Sequence, residues 1–206
     1  MVEDNLWIDI VYARDLELTD RDIIVNIVTR EGLREALDAH DRFAPHHELV
    51  LTRAMALGSF NGNCGDVMLD IPDSCGRHVH LYIGLGSRKD LDARAYQNAG
   101  ARLARRLADM NVPSVVLDLA VPANLDPFDS IKPFVEGVAI GSYTFSKYFR
   151  QRDPFPLGRM TVVIPQYMDS RRARTAMAHA ADNIHASNLA RHLTNEASNN
   201  KTPALF

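Results

Sequence analysis

Two short stretches constrain this chain more than any others: SVVLDLA (114–120) and RMTVVIP (159–165) are apolar almost without interruption. A strand with one wet face alternates apolar and polar residues, whereas a run apolar on both parities suits a strand covered on both faces. Such a strand needs helices above and below its sheet, and the neighbouring sequence supplies helical patterns. Between Asp90 and Met110, Ala95, Ala99, Leu103, Leu107 and Met110 share one side of a helix, and Arg94, Asn98, Arg102 and Arg105 share another. Asp90 is placed to cap that helix. DSIKPFVEGVAIGSYTFSKY reads as a helix with Pro133 in its first turn, and a long helix runs from Ser170 to about Leu193. Strand and helix alternating in this way predict parallel pairing and a three-layer α/β sandwich.

The first half is richer in strands. LWIDIVYA (6–13) and DIIVNIVTR (22–30) carry the β-branched and aromatic residues of strands, and a short helical pattern, EGLREALDAH, follows the second. HELVLTRAMAL (47–57) reads as a third strand, ended by the turn cluster 58–65. DVMLDIP and RHVHLYIGLG add two more, joined by a hairpin connection between Pro72 and Gly76. These pieces predict antiparallel edges on a mixed, mostly parallel sheet. With 206 residues, 46% of them hydrophobic, a core of this size needs no metal or disulfide to stabilise it.

Several functional classes find little support. A formal charge of -3 and an isoelectric point near 6.2 give no general attraction to nucleic acid or to an anionic membrane. No apolar run approaches the roughly 20 residues that span a bilayer. MVEDNLWIDIVYARD opens acidic, without the features of a signal peptide. Two cysteines, Cys64 and Cys75, make no disulfide framework, which leads to the expectation of a cytoplasmic protein. Cys64, Cys75, His78 and His80 offer zinc-type ligands, but no C-x-x-C or spaced histidine pair accompanies them. His46 and His47 read as solvated loop residues near Pro45. Gly84-Leu85-Gly86 follows a strand and precedes a helix, where a phosphate loop could form, but Lys89 stands where a dinucleotide fingerprint has its third glycine. No serine or cysteine has a nucleophile motif around it, and no catalytic or metal-binding residue is identified in the chain.

The last helix carries two apolar sides. Ala173, Met177, Ala180, Ala181 and Ile184 cluster on one, and Ala186, Leu189, Ala190 and Leu193 on the opposite one. A helix whose apolar face changes midway is expected to pack on two different bodies.

FVEGVAIGSYTFSKY (134–148) resembles the E-G-x-x-L-G-x-Y-x-F-x-x-Y segment of the leucyl (cytosol) aminopeptidases, the M17 metallopeptidases, at Glu136, Gly137, Gly141, Tyr143, Phe145 and Tyr148. LARHLTNEASNNKTP resembles their R-D-L-V-N-x-P-x-N-x-x-T-P passage between domains at Arg191, Leu193, Asn195, Asn199, Thr202 and Pro203. It departs from that passage at His192, Thr194 and Ala197. GLGSRKDLDARAYQNAGARLARRL is similar to the family's strand–turn–helix, with Gly84, Gly86, Gly100 and Ala101 as landmarks. The resemblance implies a two-domain enzyme with a macro-like N-terminal fold. It further implies a C-terminal domain that binds two divalent metals, zinc or manganese, and removes N-terminal residues, often leucine, by attack of a metal-bridged hydroxide. The family's N-T-D-A-E-G-R-L signature does not occur in these residues.

The resulting expectation is a macro-like domain over 1–168, a connecting helix over 169–195, and the start of a catalytic domain over 196–206. Leu189, Leu193, Asn195, Thr202 and Pro203 would mark the interdomain junction. The chain would be inactive alone and would serve assembly and active-site access in a cytoplasmic hexamer acting on peptides. Its partner would be its own catalytic domain, and the segment after Asn195 would be frayed. The alternatives are a standalone macro-like domain binding ADP-ribose or a nucleotide through Gly84 and Gly86, or DNA binding through Arg171, Arg172 and Arg174.

Overall fold

The structure, a computed structural model, describes residues 7–19, 22–39, 45–71, 78–118, 126–145, 148 and 157–196. In chain order its elements are β1 (Trp7–Tyr12), β2 (Ile23–Val28), α1 (Arg30–Ala39), α2 (Pro45–Ala56), β3 (Val67–Asp70) and β4 (Val79–Gly84). They continue with α3 (Ala93–Asp109), β5 (Ser114–Asp118), α4 (Ile131–Ser142), β6 (Arg159–Ile164) and α5 (Ser170–Asn195). The six strands form one sheet in the order β1-β6-β5-β2-β4-β3. All neighbours run parallel except β3, which pairs antiparallel with β4. The expected mixed, mostly parallel α/β sheet is therefore present.

The two faces of the sheet bury different partners. Val25, Ile27, Leu81, Ile83, Val115, Leu117, Met160 and Val162 join Leu103, Leu107, Phe134, Val138, Ala173 and Ala180 of α3, α4 and α5 in the main core. On the other face Val28 and Tyr82 pack with Leu33 of α1, Leu51 and Ala54 of α2, and Phe60. In β5 and β6 both parities are buried, Val115 and Val116 in the one and Val162 and Val163 in the other, as their apolar runs require.

Three local expectations change. The stretch 47–57, read as a strand, belongs to the helix α2. His47, Leu51 and Ala54 are buried at helical spacing, while Leu49, which a strand would turn inward with His47 and Leu51, is 56% exposed. Only one sheet edge is antiparallel, because β1 lies parallel to β6 with Trp7 opposite Arg159. The cap of α3 is Asp92, whose carboxylate accepts from the Ala95 amide at 2.7 Å. Asp90 instead ends a short 3-10 turn over Arg88–Asp90. Pro133 does lie in the first turn of α4. The hairpin connection expected between Pro72 and Gly76 lies outside the described residues, although the register of Asp70 on His80 and Val67 on Ile83 is that of a hairpin.

α3 and α4 cross at backbone distance. A side-chain carbon on Gly100 would sit 2.1 Å from the Phe134 carbonyl oxygen, and one on Gly137 would sit 2.0 Å from that of Gln97. Gly141 is similarly close to Ala101. Three glycines of the resemblance, Gly100, Gly137 and Gly141, are thus the residues that let two helices touch.

Candidate functional site

Gly84-Leu85-Gly86 lies at the end of β4, where a parallel sheet commonly presents its ligands. All three amides are engaged: Gly84 donates to the Asp66 carbonyl, Leu85 to that of Val28 and Gly86 to that of Gly62, each at 2.9 Å. A side-chain carbon on Gly84 would meet the Asn63 carbonyl at 2.1 Å, and Gly86 has φ +93. These glycines admit the loop 61–66 against the strand end. Just beyond, the Glu31 carboxylate accepts from Ser87 Oγ and from the Arg88 amide, both at 2.8 Å. The Arg88 amide bond, with the Ser87 hydroxyl assisting, holds Glu31 down at about 2. An internal carboxylate therefore occupies the place of an anion.

The histidines are arranged differently from expectation. His47 is buried rather than solvated, and its Nδ1 lies 2.5 Å from Asp70 Oδ2. Its ring packs on His80, centroids 4.0 Å apart, and His80 Nδ1 meets Asn26 Nδ2 at 3.1 Å. Sequence reasoning misses this cluster when 47–57 is read as a strand; the spacing of His47, Leu51 and Ala54 is the available signal. Cys64 is exposed, and Cys75 lies outside the described residues. Among the described residues no three His, Cys, Asp or Glu side chains come together to hold a metal ion.

Of the arginines at the start of α5, Arg172 bonds Asp126 at 2.5 Å and lies over the Phe128 ring. Arg171 and Arg174 are exposed.

The end of α5 gathers the residues singled out by both motifs. Asn183 donates to Glu136 at 2.7 Å, and Glu136 also pairs with Lys132. Arg191 donates to the Ile140 carbonyl at 3.4 Å and lies over the Tyr143 ring. The His192 ring packs on Phe145, Phe145 packs on Tyr148, and the Tyr148 hydroxyl donates to Glu196. Two segments far apart in the chain thus meet side by side.

The inward line of α5 does not stop midway as expected. It runs through Ala173, Ala176 and Ala180 and continues to the buried Asn188, while Ala181 is exposed. The outer line remains uncovered in this chain: Ala186, Leu189 and Ala190 are exposed, Leu189 by 52%, and Leu193 is half-buried. Asn195 is exposed at the helix end, whereas Glu196 is buried. Thr202 and Pro203, with the segment expected to fray, lie outside the described residues.

Residues 28–151 match the family model described as "Cytosol aminopeptidase family, N-terminal domain". The chain belongs to the cytosol aminopeptidase family. Within it, this N-terminal domain is 26% identical over 187 residues to a "Probable cytosol aminopeptidase" of Halorhodospira halophila, an alignment covering 88% of this chain and 37% of that protein. It is 31% identical over 127 residues to the one of Syntrophotalea carbinolica, covering 60% of this chain and 26% of the relative. Among solved structures, a tomato leucine aminopeptidase superposes with a TM-score of 0.68 at 18% identity, over 98% of this chain and 41% of that one. A bottromycin maturation enzyme, solved with manganese, gives 0.64 at 22% identity, over 89% of this chain and 34% of its own. At these identities the structures establish the fold. The chain spans between 23% and 37% of the length of the curated relatives it matches.

Proposed function

We propose that this chain is the non-catalytic N-terminal domain of a metal-dependent leucyl aminopeptidase, and that it serves assembly and access to the active sites. The observation that carries the reading is the meeting of the two family segments at the end of α5, beside the uncovered Ala186–Leu189–Ala190 line. α5 is the connecting helix, its inner line belonging to this domain and its outer line to a catalytic domain. The two divalent metals, zinc or manganese, that this reading implies belong to that catalytic domain. The parent is a cytoplasmic hexamer acting on peptide N-termini. Among the described residues no helix is long and apolar enough to cross a membrane.

The rival binding readings gain no observation. The amides at Gly84 and Gly86 are already bonded, and Arg172 is already paired with Asp126. The test compares leucine p-nitroanilide hydrolysis by the 206-residue chain with hydrolysis by the same chain joined to its downstream coding sequence. The expected outcome is no turnover for the first and chelator-sensitive turnover for the second. Chelator-sensitive turnover by the 206-residue chain alone would overturn the assignment.

A further inference from the structure

The last turn of a helix leaves four carbonyls without intrahelical partners and ordinarily frays. Thr194 and Asn195, which end α5, are exposed, so water is the default place for the next side chain. Glu196 behaves otherwise: the residue is 4% exposed and its side chain only 1%. A carboxylate withdrawn from water requires donors around it. Glu196 takes the Tyr148 hydroxyl on one oxygen, has His192 Nε2 at 3.6 Å from the other, and gives its own amide to the His192 carbonyl at 2.9 Å. The His192 ring lies 5.4 Å from Phe145, which lies 5.7 Å from Tyr148, closing a loop of four side chains. His192 and Glu196 are one helical turn apart at the end of α5, while Phe145 and Tyr148 come after α4, so the loop joins two elements.

We propose that Tyr148, His192 and Glu196 form a clasp that fixes the point and direction at which the chain leaves α5. The contacts that close it join Phe145 and Tyr148 to His192 and Glu196, so the clasp stands apart from the reading of a catalytic domain. Tyr148 is the releasable part, because its ring is 50% exposed while the carboxylate it holds is shielded. Removing that hydroxyl deprives a buried carboxyl group of a donor and returns Glu196 to water, and the last turn of α5 unwinds with it. Arg191 is separate from the clasp; it anchors the preceding turn to Ile140 and Tyr143.

Hydrogen exchange of the intact chain, read by mass spectrometry on peptides covering 186–206 and on peptides from β2 and β5, tests the clasp. Tyr148→Phe and Glu196→Gln should each speed exchange in the last turn of α5 by about tenfold or more. The double variant should add little to either, and the strands should be unchanged. Three results would overturn the clasp: unchanged exchange in the single variants, additive effects in the double, or equal acceleration of the strands. Should Tyr148→Phe fail to fold, Glu196→Gln carries the same test, since it keeps the side chain's shape but leaves one acceptor oxygen where the carboxylate offers Tyr148 and His192 two.

Discussion

Glu31 is a single side chain that closes the turn after β4, bridging Ser87 and Arg88 from the first turn of α1. Its pKa near 2 lies below the ordinary 4.5, so its contribution is complete above about pH 4.5 and is lost as pH falls towards 2. Carboxyl-resolved NMR should give a Glu31 midpoint near 2, and Ser87→Ala should move it upward. A midpoint near 4.5 in the parent would show that the bridge does not form. None of this is legible in sequence, because Glu31 and Ser87 stand on different elements with no motif linking them. His47 is hidden for another reason. Its neighbours include enough β-branched and apolar residues to imitate a strand, and only the helical spacing to Leu51 and Ala54 separates the two readings.

The elements easiest to read are those whose burial is decided by the sheet. β2, β5 and β6 are buried on both parities, and their apolar runs announce it. α3 is equally plain, since its buried residues include every position expected except Met110, which is only partly buried. What the pattern cannot show is how closely α3 meets α4, since a glycine has no side chain to carry a period. At Gly100 and Gly137 any side-chain carbon would collide with backbone, which cannot rotate away. Gly137→Ala should therefore destabilise the fold by about 1–3 kcal/mol or more, measured by urea denaturation. Gly158, whose nearest neighbour would be 3.9 Å from a new carbon, provides a tolerant control. Equal midpoints for the two variants would remove the close-crossing explanation.

At the scale of the molecule, α5 has an inner line that holds it to this domain and an outer line that this chain leaves open. Replacing Leu189 by Glu should leave the Tm of the 206-residue chain within about 2 °C, because the side chain is already half in water. The same replacement in a chain extended by its downstream sequence should weaken assembly, read by light scattering. A large loss of stability in the short chain would place Leu189 in this domain's own core. The outer line can be read from sequence because two apolar lines on one helix need two partners. The continuation of the inner line to Asn188 cannot, because a polar residue gives no hydrophobic period.

The placement of β1 bears on how the molecule comes into being. Among the described strands its one partner is β6, Trp7 against Arg159, so the first strand of the domain to leave the ribosome must wait for the last. Contacts so distant in sequence close slowly, and an unpaired strand edge invites association with other chains in the meantime. The β1 edge of the sheet is thus completed only after β6 has been made, and any product that stops short of β6 leaves its opening strand without the neighbour it pairs with.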